Sequence, residues 1–310
     1  MTAHYFGRNF DYDSLTAPSG PCMLHGIKLN CRREDSQVHA ATADALWFHI
    51  PHTRRLPNRT QPNQLLIGMS MESAAYYPRL DNESFLRRLD IICSYKFTSD
   101  VVTHYYDRHY DTEHNNFLSP PLVPTSKKKN VVAYINRNCG AKNGRNDIAK
   151  ELSQHFPLEG YGCLGSQERV NKTTVFSRSK FCIAMENSNM PWYVTEKVWH
   201  AFLAGCLPIY MGAPNFELDF MPHPKAAIIY NPETMTPQQL AERLKKLSED
   251  DALYEEHMKW RGLQLSDLSP GFQRLVNLSR GPNAACKLCM KVAQLRYDKE
   301  KQSGAVARPS

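Results

Sequence analysis

Phe181-Cys182-Ile183-Ala184-Met185-Glu186-Asn187-Ser188, followed after four residues by Tyr193-Val194-Thr195-Glu196-Lys197, is the stretch on which the reading of this chain turns. Lys180 to Met185 is apolar and strand-like in length. Thr195 to Ala204 has helical spacing, with Thr195 in the position of an N-cap and Gly205 as terminator. A strand that ends in polar residues just before a helix opens is a phosphate-binding arrangement, because a helix N-terminus offers free N–H groups and a positive dipole end. Lys197 falls in the first helical turn, an odd placement for a purely structural lysine because the dipole disfavours a cation there. Glu196 is able to take two sugar hydroxyls, and Tyr193 to stack on a base or hydrogen-bond a ribose. From spacing alone, an ordinary capped helix after a loop accounts for the pattern equally well.

The strand-helix alternation extends outward from this segment. Asn130 to Ile135 reads as a strand and Arg145 to Phe156 as a helix with Ile148, Leu152 and Phe156 on one face. Cys206 to Met211 and Ala226 to Tyr230 read as strands, and the chain from Thr236 onward as mostly helical. Upstream, Ala43 to Ile50, Gln64 to Ser70 and Asp90 to Tyr95 are further strands, with a helical stretch near Glu83 to Leu89. Strands separated by helix-length segments predict parallel βα units. The Pro-rich segment Ser119 to Ser126 and the run Lys127-Lys128-Lys129 read as a solvated linker. The expected organisation is therefore two Rossmann-like α/β domains, residues 1–125 and 126–310, facing each other across a cleft. In such sheets ligands lie beyond the carboxyl ends of the strands.

Composition sets bounds on function. The chain has 310 residues, 42% hydrophobic and 22% charged, with a net charge of +7. That mild basicity suits an anionic small ligand. Nucleic acid is not an expected partner, since no dense basic cluster with a recognition motif is present. No apolar run reaches the roughly 18 residues of a membrane helix, and Thr2 to Asp13 does not read as a signal peptide. Two expectations follow: a cytosolic protein, or one whose upstream anchor lies outside this chain. Four N-x-S/T sequons, at Asn58, Asn82, Asn171 and Asn277, tilt toward a lumenal protein. The nine cysteines then read as disulfide partners, with at least one left over. Cys22 and Cys31 are candidates to pair. Cys286-Lys287-Leu288-Cys289 reads as a local disulfide, a redox pair or half of a zinc site that nothing completes.

The segment Phe181 to Gly212, with E-N-S and Y-V-T-E-K at its centre, resembles the donor-binding signature of the α-1,3/4-fucosyltransferases. Asn138 to Arg145 and Tyr161-Gly162-Cys163 resemble that family's preceding blocks, Met69 to Ser73 its acceptor-side block, and Trp260-Arg261 with Cys286 to Cys289 its C-terminal end. The likeness spans roughly residues 40 to 292 and is strongest to the plant-like branch, whose members modify N-glycans. It implies a GT-B fold and transfer of L-fucose from GDP-fucose to a GlcNAc-containing glycan or glycoprotein, with inversion. It also implies no cofactor and no metal, and a place in the Golgi lumen. Arg145 and Lys197 are then expected on the pyrophosphate, Glu196 on sugar hydroxyls, and Tyr193 and Asn187 on the nucleotide. Glu72 is the expected general base, since inversion in a single displacement needs one base opposite the leaving group.

Two other readings stand beside this one: a GT-B transferase using another nucleotide sugar, and a glycan-binding protein that has lost catalysis. Asp11-Tyr12-Asp13 has the form of a metal-binding D-x-D, for which chance is the preferred explanation. His49 and His52, which flank a strand end, read as core or surface histidines rather than ligands.

Overall fold

The computed structural model describes residues 2–5, 21–34, 37–106 and 118–302. The Asp11-Tyr12-Asp13 motif lies outside them. The chain divides into two compact units, Met1–His104 with Gly281–Ser310, and Tyr105–Arg280. Relative to the boundary expected after residue 125, the Pro-rich segment groups with the second unit and the C-terminal helix with the first.

The first unit holds six parallel strands: β1 (Thr2–Tyr5), β4 (Arg32–Glu34), β5 (Ala45–His49), β6 (Leu65–Ser70), β7 (Ile91–Ser94) and β8 (Val101–Val102). They are ordered β4-β1-β5-β6-β7-β8. A two-stranded hairpin, β2 (Cys22–Leu24) and β3 (Ile27–Leu29), is inserted between β1 and β4. Every residue of β5 and β6 is buried, the signature of a parallel sheet covered on both faces. The helix expected over Glu83 to Leu89 is a single turn, α1 (Glu83–Leu86), with Asn82 as its cap accepting from the Phe85 N–H.

The last helix, α9 (Ala284–Gln302), completes this unit. Disulfides join Cys22 to Cys286 and Cys31 to Cys289. The local pairings Cys22–Cys31 and Cys286–Cys289 are thereby overturned. The two C-terminal cysteines are three residues apart on a helix, hence on one face, and that face meets the segment around the hairpin. Lys291 adds an ion pair with Asp100 at 3.2 Å, and Lys299 one with Asp90 at 3.3 Å.

The second unit is a five-stranded parallel sheet. Its strands are β9 (Lys129–Asn136), β10 (Leu158–Gly162), β11 (Ser179–Met185), β12 (Leu207–Met211) and β13 (Ile228–Ile229), ordered β10-β9-β11-β12-β13. In chain order this is 2-1-3-4-5, a doubly wound sheet whose order reverses between β9 and β11, the place where such sheets bind ligands. Helices α2 (Arg145–Leu152), α3 (Lys172–Ser177) and α4 (Glu196–Ala204) connect the strands. They are followed by α5 (Phe216–Asp219), α6 (Pro237–Glu249), α7 (Asp251–Glu255) and α8 (Pro270–Arg280). A capping box opens α6, with Thr236 and Gln239 bonding each other's backbone N–H.

Helix α4 is held rigidly from behind. Trp199 packs edge-on against Tyr106 with centroids 5.1 Å apart, and Phe202 against Trp260 at 5.4 Å. Gly205 ends the helix at φ 75°, a left-handed conformation that glycine adopts without Cβ strain. Two further disulfides lie in this unit: Cys139–Cys163 ties the loop after β9 to the residue after β10, and Cys182–Cys206 ties β11 to the residue before β12; Cys93 of the first unit is the buried free thiol among the described residues. The lysine run is solvated at Lys127 and Lys129 but not at Lys128. Lys128 is only 7% exposed and its Nζ donates to the Ser177 carbonyl, while Lys129 begins β9. Burial and the nearby Arg261 lower the Lys128 pKa to about 8.

Candidate functional site

At the carboxyl ends of β9 and β11 the second unit has a small cavity. Its polar lining is Tyr134, Asn136, Arg145, Lys172, Lys197 and His200. Three of these carry fixed positive charge, and they come from the first turns of α2, α3 and α4. Cations, helix N–H groups and a topological switch point therefore coincide, which is the electrostatic environment of a phosphate.

Arg145 is 2% exposed. Its Nη1 donates to the Met185 carbonyl and its Nη2 to Asn136 Oδ1, each at 2.8 Å. Asn136 is itself fixed, donating from Nδ2 to Asn146 Oδ1 at 2.7 Å. The Arg145 Nε is buried without a hydrogen-bond partner among the described residues, a spare donor on a charged fork.

Lys197 Nζ lies 3.2 Å from Glu186 Oε2 and 3.6 Å from Glu196 Oε1, and donates to Thr195 Oγ1 at 2.6 Å. Burial works against its charge, but Glu186 and Glu196 outweigh that and raise its pKa. Thr195 occupies the N-cap position without capping through its side chain. Its Oγ1 and its N–H both donate to the Glu186 carboxylate at 2.7 Å. Glu186, the first residue after β11, thus holds the N-cap residue of α4 and not the helix's own first N–H groups.

Glu196 sits between Lys197 and Lys172, the latter at 3.8 Å. Burial alone would raise its pKa, but Lys197, Lys172 and His200 lower it, so it is an anion poised beside the cations. Asn187 is half-buried in the β11–α4 loop. Tyr193 is 3% exposed, its ring edge-on to Tyr105 with centroids 6.4 Å apart, so in this arrangement it walls the loop rather than offering a free face. Glu72 belongs to the first unit, just beyond the end of β6, where its N–H donates to Ser70 Oγ at 3.1 Å. Among the described residues, no three His, Cys, Asp or Glu side chains are grouped as metal ligands.

The structure adds three participants to those the sequence singled out. Lys172 opens a helix in a segment with no strong periodicity. His200 lies one turn after Glu196, within a helix that otherwise reads as core, and burial first, then Lys172, lower its pKa. Glu186 was visible in the E-N-S motif, but its burial beneath Lys197 was not.

A doubly wound unit with a cationic pocket at its switch point has the arrangement in which α/β proteins hold a phosphate group. The profile of glycosyltransferase family 10 (fucosyltransferase), C-terminal part, matches residues 125–306, and the chain belongs to this family. It is 32% identical over 304 residues to a fucosyltransferase-like protein of Arabidopsis thaliana, covering 96% of this chain and 54% of the relative. To glycoprotein 3-alpha-L-fucosyltransferase A of Drosophila melanogaster it is 30% identical over 243 residues, covering 75% of this chain and 47% of the relative. The chain thus spans about half the length of these relatives. A crystal structure of an alpha1,3-fucosyltransferase with GDP superposes with a TM-score of 0.62 at 16% identity, covering 96% of this chain and 90% of the other. The fold is GT-B, built of two Rossmann-like units, as expected from the sequence.

Proposed function

We propose that this chain is an inverting α-1,3-fucosyltransferase that moves L-fucose from GDP-fucose to a GlcNAc-containing glycan or glycoprotein. The observation that carries the reading is the convergence of Arg145, Lys172 and Lys197 on one cavity at the switch point between β9 and β11. Loss of GDP builds negative charge on the pyrophosphate, and fixed cations with helix N–H groups stabilise it without reorganising. Arg145 offers a pre-set fork and Lys197 a point charge. Glu196, held ionised between two lysines, accepts hydrogen bonds from donor hydroxyls, and Asn187 and Tyr193 shape the loop against the nucleotide. Glu72 is the proposed general base for the acceptor hydroxyl. A Golgi-lumen location accords with the family and with four disulfides, which persist in oxidising compartments.

The test is GDP release and fucosylated product, read by mass spectrometry, with GDP-fucose and a glycan array. Transfer from GDP-fucose that survives EDTA is the expected result. Transfer only from another nucleotide sugar, or full loss with EDTA restored by manganese, would overturn the reading. GDP binding with neither transfer nor donor hydrolysis would indicate a binding protein that has lost catalysis.

A further inference from the structure

Glu186 is 0% exposed, and a buried carboxylate is costly unless it is paired and hydrogen-bonded. It has three partners, the Thr195 N–H, the Thr195 hydroxyl and the Lys197 ammonium, and all belong to the start of α4. Its surroundings are shaped to admit it. A Cβ added at Gly212 would stand 2.7 Å from Glu186 Cγ and 2.6 Å from the Tyr210 hydroxyl, so the residue after β12 has no room for a side chain. The Glu186 carbonyl accepts from Asn143 Nδ2 at 3.0 Å, which ties the same residue to the loop before Arg145.

We propose that Glu186 is a positioning residue of the donor site, keeping the partly buried Lys197 charged and fixed beside Arg145 so that a diphosphate meets a cation at any physiological pH. This inference rests on the donor-site reading given above. The charges facing Lys197 are Glu186 from the end of β11, Glu196 and His200 from α4, Arg145 from α2 and Lys172 from α3. Tyr210 on β12 faces Glu186, and Tyr134 on β9 faces Arg145. Burial first, and Arg145 after it, push Lys197 toward the neutral amine. Of the two carboxylates that oppose this, Glu196 is the more exposed and the more distant, at 3.6 Å against 3.2 Å. Glu196 also faces the donor sugar in the proposed reaction. Glu186 is screened from water, and its three carboxylate partners all lie at the start of α4. Burial lifts its own carboxyl group, but both of its oxygens accept hydrogen bonds, the geometry of an anion.

The experiment is calorimetric binding of GDP between about pH 7.5 and 9.5, above the titration of its terminal phosphate. Each variant is read as its affinity relative to the wild type at the same pH, which cancels the loss of the guanine N1 proton toward the top of the range, and a flat profile is a ratio that does not change with pH. Glu186→Gln is expected to bind nearly as well at the low end and to lose roughly tenfold by the high end, as Lys197 deprotonates. The double variant Glu186→Gln with Lys197→Arg is expected to recover the flat profile, because a guanidinium keeps its proton. A merely structural Glu186 would weaken binding equally at every pH and would not be rescued, and a flat profile for Glu186→Gln overturns the proposal. Wild-type protein that binds no GDP at any pH would instead remove the donor-site reading itself. Should Glu186→Gln fail to fold by circular dichroism, competitive acetylation of wild-type amines carries the test. A Lys197 that titrates above free lysine is expected, and one that titrates below it overturns the proposal.

Discussion

Arg145, the first residue of α2, bridges the last residues of the two strands that flank the switch point, donating to Asn136 Oδ1 of β9 and to the Met185 carbonyl of β11. The guanidinium is therefore aimed before any ligand arrives. A lysine there keeps the charge but not the planar fork, and cannot serve both strand ends and a phosphate together. Arg145→Lys should weaken GDP binding roughly 10–100-fold, and unsatisfied buried groups should cost about 1–3 kcal/mol of stability. Calorimetry and a urea melt read the two effects separately. Lower stability with unchanged affinity would make Arg145 a brace and nothing more.

Glu72 gives a different signature. The side chain is half-buried beyond β6, and its backbone is held by Ser70. Glu72→Gln keeps size and hydrogen bonding but removes basicity. It should fold and bind GDP as the wild type does while losing transfer by roughly 10²–10⁴-fold, the usual share of a general base. Near wild-type GDP release with saturating acceptor would assign the base elsewhere.

Non-reducing peptide mapping should recover Cys22 joined to Cys286 and Cys31 to Cys289, and alkylation after denaturation should mark Cys93 alone. Each of the first two bonds closes a loop of more than 250 residues, and loss of a native bond costs about 2–5 kcal/mol. Cys289→Ala should accordingly lower the melting temperature of the oxidised protein. A Cys286–Cys289 peptide would contradict the pairing.

His49, at the end of β5, is 2% exposed and its Nδ1 lies 3.1 Å from that of His52. Burial first, and His52 second, lower its pKa from 6.5 to about 4. Because the folded value is depressed, the unfolded chain takes up a proton that the native state refuses. Stability is therefore lost as pH falls from about 6.5 toward 4, by on the order of 2–3 kcal/mol. Thermal melts across that range should show the loss, and His49→Gln should flatten it. An unchanged slope in the variant would place the acid sensitivity in other groups.

The core elements were legible because each carries a strong period or a continuous apolar run. The strands β5, β6, β9, β11 and β12 are of this kind, as is α4 with its Gly205 stop. The strand β10, Leu-Glu-Gly-Tyr-Gly, was missed because two glycines and a glutamate leave no pattern. It becomes a strand through pairing with β9. Arg32-Arg33-Glu34 likewise becomes β4 by pairing with β1. Conversely, Ala226 to Tyr230 reads as five strand residues but forms a strand over two, Ile228–Ile229, at the edge of the sheet beside β12. The site shows the same division. Arg145, Glu196 and Lys197 were visible by motif position, whereas Lys172 and His200 reach the cavity only through packing of α3 and α4. The lysine run misled at Lys128, because charge predicts solvent and Lys128 instead finds a buried carbonyl.

The first unit is made from two stretches that the whole of the second unit separates in sequence. Residues 105–280 therefore leave the ribosome before α9 does, and the two bonds within them, Cys139–Cys163 and Cys182–Cys206, each join cysteines only 24 residues apart. Cys22 and Cys31 have their partners more than 250 residues downstream, so neither native bond closes until α9 has been made. A nascent chain halted before Cys286 would hold residues 105–280 whole, beside the thiols of Cys22 and Cys31 without their native partners.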